Sequence, residues 1–204
     1  MAGHKGKDLR EACIQEALAI IETSGIEELS LREISRRLGV SHQAPYKHFP
    51  SRDYILAEIV SRAFESFARY LDDRPHTENA YASLEAMGRA YFSYALTHPL
   101  QYRLMFGTPL PDPQQHPQMM QNSKHAFSLL RDCIAELRKK SGHIVSDSDV
   151  ELDALFVWST IHGMATIIQS STLDTLSLPE DVINKATQHA LFRIGIALGV
   201  DLPQ

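Results

Sequence analysis

The 204-residue chain has few of the residues that staple or interrupt small folds. Two cysteines, Cys13 and Cys133, cannot build a disulfide framework, and no paired C-x-x-C half-sites offer a structural zinc site. Ten glycines and ten prolines exclude collagen-like and low-complexity classes. Long apolar runs are missing as well. The longest, Ala154 to Ile168, is 15 residues and holds Ser159, Thr160 and His162, so a buried core helix is expected and a membrane partner is not. The opening MAGHKGKDLREA turns charged and polar at once, with no apolar signal core. A reducing, cytoplasmic setting is the expectation.

Catalytic signatures are lacking too. HExxH, the nucleophile elbow, the phosphate-cradling loop and paired carboxylates do not occur. His125, His143 and His189 fall on different segments without metal-ligand spacing. No catalytic residue, metal or cofactor is therefore expected. The alternative of another class is an all-α enzyme using Asp153 with His162 or Glu151, or a small-molecule carrier whose N-terminal domain is vestigial.

What the chain does have is helical periodicity. Leu9, Cys13, Ala17, Ile20 and Ile21 make one stripe that Gly25 ends. Ser30 with Glu33 predicts a capping box for a short helix whose buried side is Leu31, Ile34 and Leu38. Ser41 is expected to cap a third helix, His42 to His48, and Ser51 a fourth from Arg52 to about Asp73. Arg74-Pro75-His76-Thr77 breaks the pattern and predicts a domain junction. Helices are expected over 78–97, over a short stretch to Phe106, over 118–141, over 148–172 opening at Ser148 with Glu151, and over 179–198 opening at Ser177 with Glu180. Pro109, Pro111, Pro113 and Pro117 make the stretch before Gln118 non-helical. Nothing alternates with period two, so the chain reads as all-α with about nine helices.

Charge is unevenly spread. The net charge is −5, yet residues 1–52 hold eight basic against seven acidic residues. Between Ser30 and Arg52, five cations (Arg32, Arg36, Arg37, Lys47, Arg52) face one acid, Glu33, with His42 and His48 besides. A basic island on an acidic body attracts polyanions locally. That island carries helix-turn-helix spacing: a short helix, then Gly39 tolerant of positive φ, Val40 as an apolar plug and Ser41 as a cap. The following segment offers His42, Gln43, Tyr46, Lys47 and His48, polar groups suited to a major groove.

The run LSLREISRRLGVSHQAPYKHFPSRDYIL resembles the N-terminal DNA-binding domain of TetR-family transcriptional regulators, through Gly39, Val40, Ser41, Tyr46, His48 and Phe49 followed by Ser51 and Arg52. Ser35 departs from that pattern, where alanine is usual. Further on, Trp158, His162 and Gly163, with the preceding HPLQYRLMF, resemble the C-terminal domain of the subgroup named for its Trp-His-Gly residues. The resemblance implies a helix-turn-helix domain over 1–52, a connecting helix over 53–76 and a ligand-binding and dimerisation bundle over 77–204. It implies that Arg32, His42, Gln43 and Ala44 face base edges, that Tyr46, Lys47, His48 and Arg52 grip phosphates, and that Ser30 and Ser41 take part at the helix starts.

The implied function is a ligand-responsive, sequence-specific regulator, a repressor that a small molecule releases from its operator. Its expected partners are a pseudo-palindromic double-stranded operator, an unidentified effector and a second copy of the chain. The effector is expected near Tyr102, Phe106, Trp158 and His162, with a purely structural role for His162 left open. Dimerisation is expected through the last two helices, with Ala165, Ile168, Ala186, Ala190, Ile194 and Ala197 as candidate contacts.

Overall fold

The computed structural model describes residues 2–75, 77, 79–140, 146–170 and 172–199. α-Helices run over Ala2–Ser24 (α1), Leu31–Leu38 (α2), Arg52–Asp72 (α3), Ala80–Thr97 (α4), Pro99–Phe106 (α5), Pro117–Lys140 (α6), Asp147–Gln169 (α7), Thr172–Leu176 (α8) and Glu180–Ala197 (α9). Tight 3-10 turns occupy Ile26–Glu28 and Pro45–Lys47. Among the described residues there is no strand, as the all-α reading expects.

Local chemistry explains most boundaries and corrects several expectations. At α2 the Ser30 hydroxyl accepts from the Glu33 N–H at 3.1 Å, but the reciprocal half of the capping box is missing. The Glu33 carboxylate turns instead to Arg36 and Arg37, whose charged donors outbid one backbone amide. Gly39 closes α2 at φ 65°, the left-handed conformation that only a residue without Cβ adopts cheaply. The expected third helix does not form as an α-helix. His42 to Ala44 is a turn and Pro45–Lys47 a single 3-10 turn, because Pro45 has no N–H to continue a ladder.

The two late helix starts also differ from expectation. α7 opens at Ser146, not Ser148, and its capping box closes on Asp149, not Glu151. α9 follows Pro179 with no side-chain cap, and Ser177 sits at φ 49° outside it. The proline there removes one of the amides a cap would otherwise serve. The expected helix over 148–172 is interrupted at Ser170, with α8 as a separate turn after it. His76, Ser141 and His143 of the sequence reading lie outside the described residues.

The chain forms two compact units, Met1–Glu65 with Leu100–Ser123, and Ser66–Pro99 with Lys124–Gln204. In the first, Cys13, Ile14, Ala17, Ile20 and Ile21 of α1 bury against Leu31 and Ile34 of α2 and a row from Ile55 to Val60. Leu38 and Val40, expected as core, are half-buried. Phe64 meets Phe106 edge to face at 5.8 Å. Arg62 clamps Glu11 and Glu58 at 2.8 Å each, and Arg10 also reaches Glu58 at 2.9 Å.

In the second unit Phe67, Leu84, Met87, Tyr91 and Tyr94 pack with Val157, Ile161, Leu191 and Ile194. Gly88 lets α4 and α9 approach, since a Cβ there would collide with the Leu191 side chain. Arg138 holds Asp153 with two donors, at 2.6 and 2.8 Å, and donates to the Leu198 carbonyl at 3.0 Å. Asp153 is thus committed to an ion pair, and the acid-base use weighed for it has no support in the geometry.

Candidate nucleic-acid interface

The helix-turn-helix segment places most expected contact residues on an open face. Arg32, Ser41, His42, Gln43, Tyr46 and Lys47 are exposed, while Ser30, Ala44, His48 and Arg52 are half-buried. Ser30, Arg32 and His42 border one shallow depression of about 310 Å³ together with Glu28, Glu33 and Arg36.

Pairing within the fold sorts the five cations of this segment. Arg36 and Arg37 both bind Glu33, at 2.6 and 2.8 Å, and Arg37 also reaches Glu16 at 3.4 Å. Hydrogen bonds from Arg36 and then Arg37 hold the Glu33 carboxyl down at about 2, so it stays ionised at every physiological pH. Arg52 spends its fork on backbone: Nε donates to the Leu29 carbonyl at 3.1 Å and Nη2 to Ile26 at 2.8 Å. Arg32 and Lys47 have no protein partner among the described residues. A polyanion therefore meets those two charges uncompensated.

Ser35 was legible in the sequence only as a departure from the family pattern. It is fully buried, and its hydroxyl donates to the Arg32 carbonyl at 2.7 Å. Having given its proton there, the oxygen accepts from His42 Nδ1 at 3.1 Å. This places a proton on His42 Nδ1, so in the neutral ring Nε2 is the acceptor, the complement of an exocyclic amine on cytosine or adenine.

The four expected effector residues fall in both units. Tyr102 is buried and meets the half-buried Phe106 edge to face at 5.2 Å in the first. Trp158 and His162 lie together in the second, bridged by a residue absent from that set of four, Tyr91. Trp158 Nε1 donates to the Tyr91 hydroxyl at 3.3 Å, which lies 3.0 Å from His162 Nδ1. The indole can only donate, so the phenol oxygen accepts from it. Burial pushes the His162 pKa down, which favours the neutral imidazole. The spacing of 71 residues between Tyr91 and His162 gave sequence reasoning no means of pairing them.

No helix among the described residues is long and apolar enough to cross a membrane. An all-α chain with a capped short helix, a left-handed glycine turn and an exposed cationic segment has the architecture of a helix-turn-helix regulator. Comparison with known proteins identifies which kind. Residues 14–59 match the model of bacterial regulatory proteins of the tetR family, and residues 84–191 match the tetracyclin repressor-like C-terminal domain. The second match alone covers more than half of the chain, and the chain belongs to the TetR family.

Among curated relatives, the HTH-type transcriptional regulator Rv1816 of Mycobacterium tuberculosis is 32% identical over 90 residues, 43% of this chain. That match spans 38% of the mycobacterial protein. The nucleoid occlusion factor SlmA of Photobacterium profundum is 28% identical over 157 residues, 72% of this chain and 79% of that protein. In fold, the chain is similar to the transcriptional regulator FadR of Bacillus subtilis, solved in complex with stearoyl-CoA. The TM-score is 0.67 at 17% identity, covering 90% of this chain and 96% of that one.

Proposed function

We propose that the chain is a ligand-responsive, sequence-specific DNA-binding regulator that works as a homodimer, a repressor released from its operator by a small molecule. The observation that carries this reading is the exposed segment from Arg32 to Lys47, where two cations have no protein partner among the described residues and His42 is oriented by Ser35. Arg32 is suited to fork onto guanine O6/N7 and Gln43 onto adenine N6/N7, each about 1–3 kcal/mol of discrimination. Tyr46, Lys47 and His48 grip phosphates and set the register, while Ser30 and Ser41 present backbone amides at the ends of the turn. Arg52 shapes the loop ahead of α2. A DNA target places the site of action in the cytoplasm.

The dimer reading rests on apolar side chains left outside the second unit. Leu152, Leu155 and Phe156 share one side of α7, and Val182, Phe192 and Ile196 are exposed on α9. An uncovered apolar surface of this extent on paired helices favours a partner copy. Ala165, Ala190 and Ile194, expected at that interface, are instead packed inside the protomer. Each of these helices has two apolar sides, and periodicity alone does not say which one faces inward.

The effector is proposed to bind in the second unit, near Trp158 and His162 with Tyr91, while Tyr102 and Phe106, also expected near it, belong to the first unit. The first pair, with Gly163, supports membership of the Trp-His-Gly subgroup. The FadR similarity makes a largely apolar ligand a natural first choice for screening. Since α3 and α6 each contribute residues to both units, either helix can carry the coupling between effector and recognition segment.

The test is binding to duplex from upstream of the chain's own gene, against excess random duplex, across a salt series. A dimer gripping about 6–8 phosphates gives a slope of roughly −5 to −7 in log affinity against log salt. Competitor-resistant binding that Arg32→Ala with Lys47→Ala removes supports the reading. A genome-wide fragment selection that recovers no preferred sequence overturns it in favour of a carrier with a vestigial DNA-binding domain.

A further inference from the structure

Glu33 is the one acid between Ser30 and Arg52. It borders the depression formed with Ser30, Arg32, Arg36 and His42, on the face that the reading above turns to DNA. Arg32 and Arg36 are four residues apart on α2, so they share a side of that helix. Their states differ. Arg32 has no protein partner among the described residues, whereas the Arg36 fork closes on Glu33, with Nε at 2.8 Å and Nη2 at 2.6 Å. Arg37 Nε donates to the same carboxylate at 2.8 Å, and its Nη1 reaches Glu16 at 3.4 Å.

This turn of the helix is electrically neutral as a group. Arg36 and Arg37 carry two positive charges, and Glu33 and Glu16 carry two negative ones. The side chain of Arg36 is 69% exposed and open to a competitor. An exposed ion pair is weak, and a phosphate competes well for an arginine fork. When the fork leaves, however, the carboxylate stays behind and meets the phosphate with a like charge. Glu33 is not needed as an acid to start α2, because the Ser30 cap uses only its backbone N–H.

We propose that Glu33 sets the selectivity of the DNA face: it keeps Arg36 from gripping the backbone of DNA of any sequence, so that binding depends on the base contacts of Arg32, His42 and Gln43. This rests on the DNA-binding reading above. Binding to arbitrary sequence is almost wholly phosphate contact, and there the protein shifts along the duplex until a free cation finds a phosphate. At an operator the base contacts fix the register, and an added cation gains only the phosphate which that register brings to it. Removing the Glu33 charge therefore raises non-specific binding more than operator binding, and the difference between the two shrinks.

The test is Glu33→Gln in the full-length protein, titrated with random duplex from about 50 to about 200 mM salt. Glutamine keeps the shape and the Ser30 cap and drops the charge. One added phosphate per protomer steepens the log–log slope by about 0.9, or about 1.8 for a dimer. Across that range of salt the gain in affinity then shrinks by about twelvefold. Arg36→Ala should remove the gain in the Glu33→Gln background and leave the parent slope nearly unchanged, which assigns the gain to Arg36 and not to an altered fold. An operator recovered by the parent should gain less than random duplex does. An unchanged random-duplex slope in Glu33→Gln, or a gain that survives the loss of Arg36, overturns the proposal, as does an equal gain on operator and random duplex. Lost operator preference with random-duplex binding unaltered also overturns it, because Glu33 then accepts from a base amine itself. A parent that selects no sequence at all sinks the regulatory reading, while the random-duplex series still decides whether Glu33 withholds Arg36.

Discussion

Replacing Arg52 by lysine keeps the charge and removes the fork. Arg52 donates to two carbonyls, Leu29 at 3.1 Å and Ile26 at 2.8 Å, and so ties the first turn of α3 to the loop before α2. A hydrogen bond from a charged donor contributes about 1.5–3 kcal/mol when shielded. The Arg52 side chain is 37% exposed, so water competes, and the low end applies: about 3 kcal/mol for the two bonds together. A lysine ammonium reaches one carbonyl, so Arg52→Lys should lose about 1.5 kcal/mol and Arg52→Met about 3. At about 2–4 °C per kcal/mol for a chain of this size, the melting temperature falls by about 3–6 °C and about 6–12 °C respectively. Circular dichroism melts read the stability, and operator titrations at several salt concentrations read the DNA contact. Arg52→Met should keep the parent salt slope. An Arg52→Met protein that melts with the parent while its slope flattens by about one per protomer would refute the structural assignment and return Arg52 to the phosphate contacts.

Ser35→Ala leaves α2 intact and frees His42. Stability should change by less than about 1 kcal/mol, while operator selections should show relaxed preference at the base pair His42 reads. Tyr91→Phe removes the hydroxyl between Trp158 and His162 and should cost about 1–3 kcal/mol in urea unfolding. The parent should itself lose stability in acid. Burial holds the His162 pKa below its ordinary 6.5, so the unfolded chain binds the extra proton first. That contribution is fully present above about pH 6.5 and drains as pH falls through the lowered folded value. His162→Gln should flatten the His162 part of this dependence, and an unchanged profile in that variant would assign it elsewhere. Phe156→Glu with Phe192→Glu places charges on the outer sides of α7 and α9 and should weaken self-association by about a hundredfold or more in sedimentation. A double variant that sediments like the parent excludes that surface.

Periodicity of three and four determined most of the helices from the residues alone, because an apolar stripe at that spacing comes together on one side only when the chain is helical. The glycine turn at Gly39 and the cap at Ser30 are equally local: one needs a missing Cβ, the other a hydroxyl within three residues of an amide. The cationic island was visible for the same reason, as a short run of residue types. Which of its charges remain uncompensated was not. Arg52 bonds carbonyls 23 and 26 residues away, and Arg37 reaches an acid 21 residues away, so only the folded chain leaves Arg32 and Lys47 without a partner.

The same distinction separates the two late helices from their neighbours. The sequence determined that α7 and α9 carry apolar residues on more than one side. Tertiary packing decided that Ala165, Ala190 and Ile194 turn inward and leave Phe156, Phe192 and Ile196 outside. It also brought Tyr91 to Trp158 and His162. Local propensity acts over a few bonds and is written residue by residue. A charge, a hydroxyl or an imidazole acquires its role from whatever the fold places within about 3 Å of it, and that neighbour is set by the packing of the whole chain.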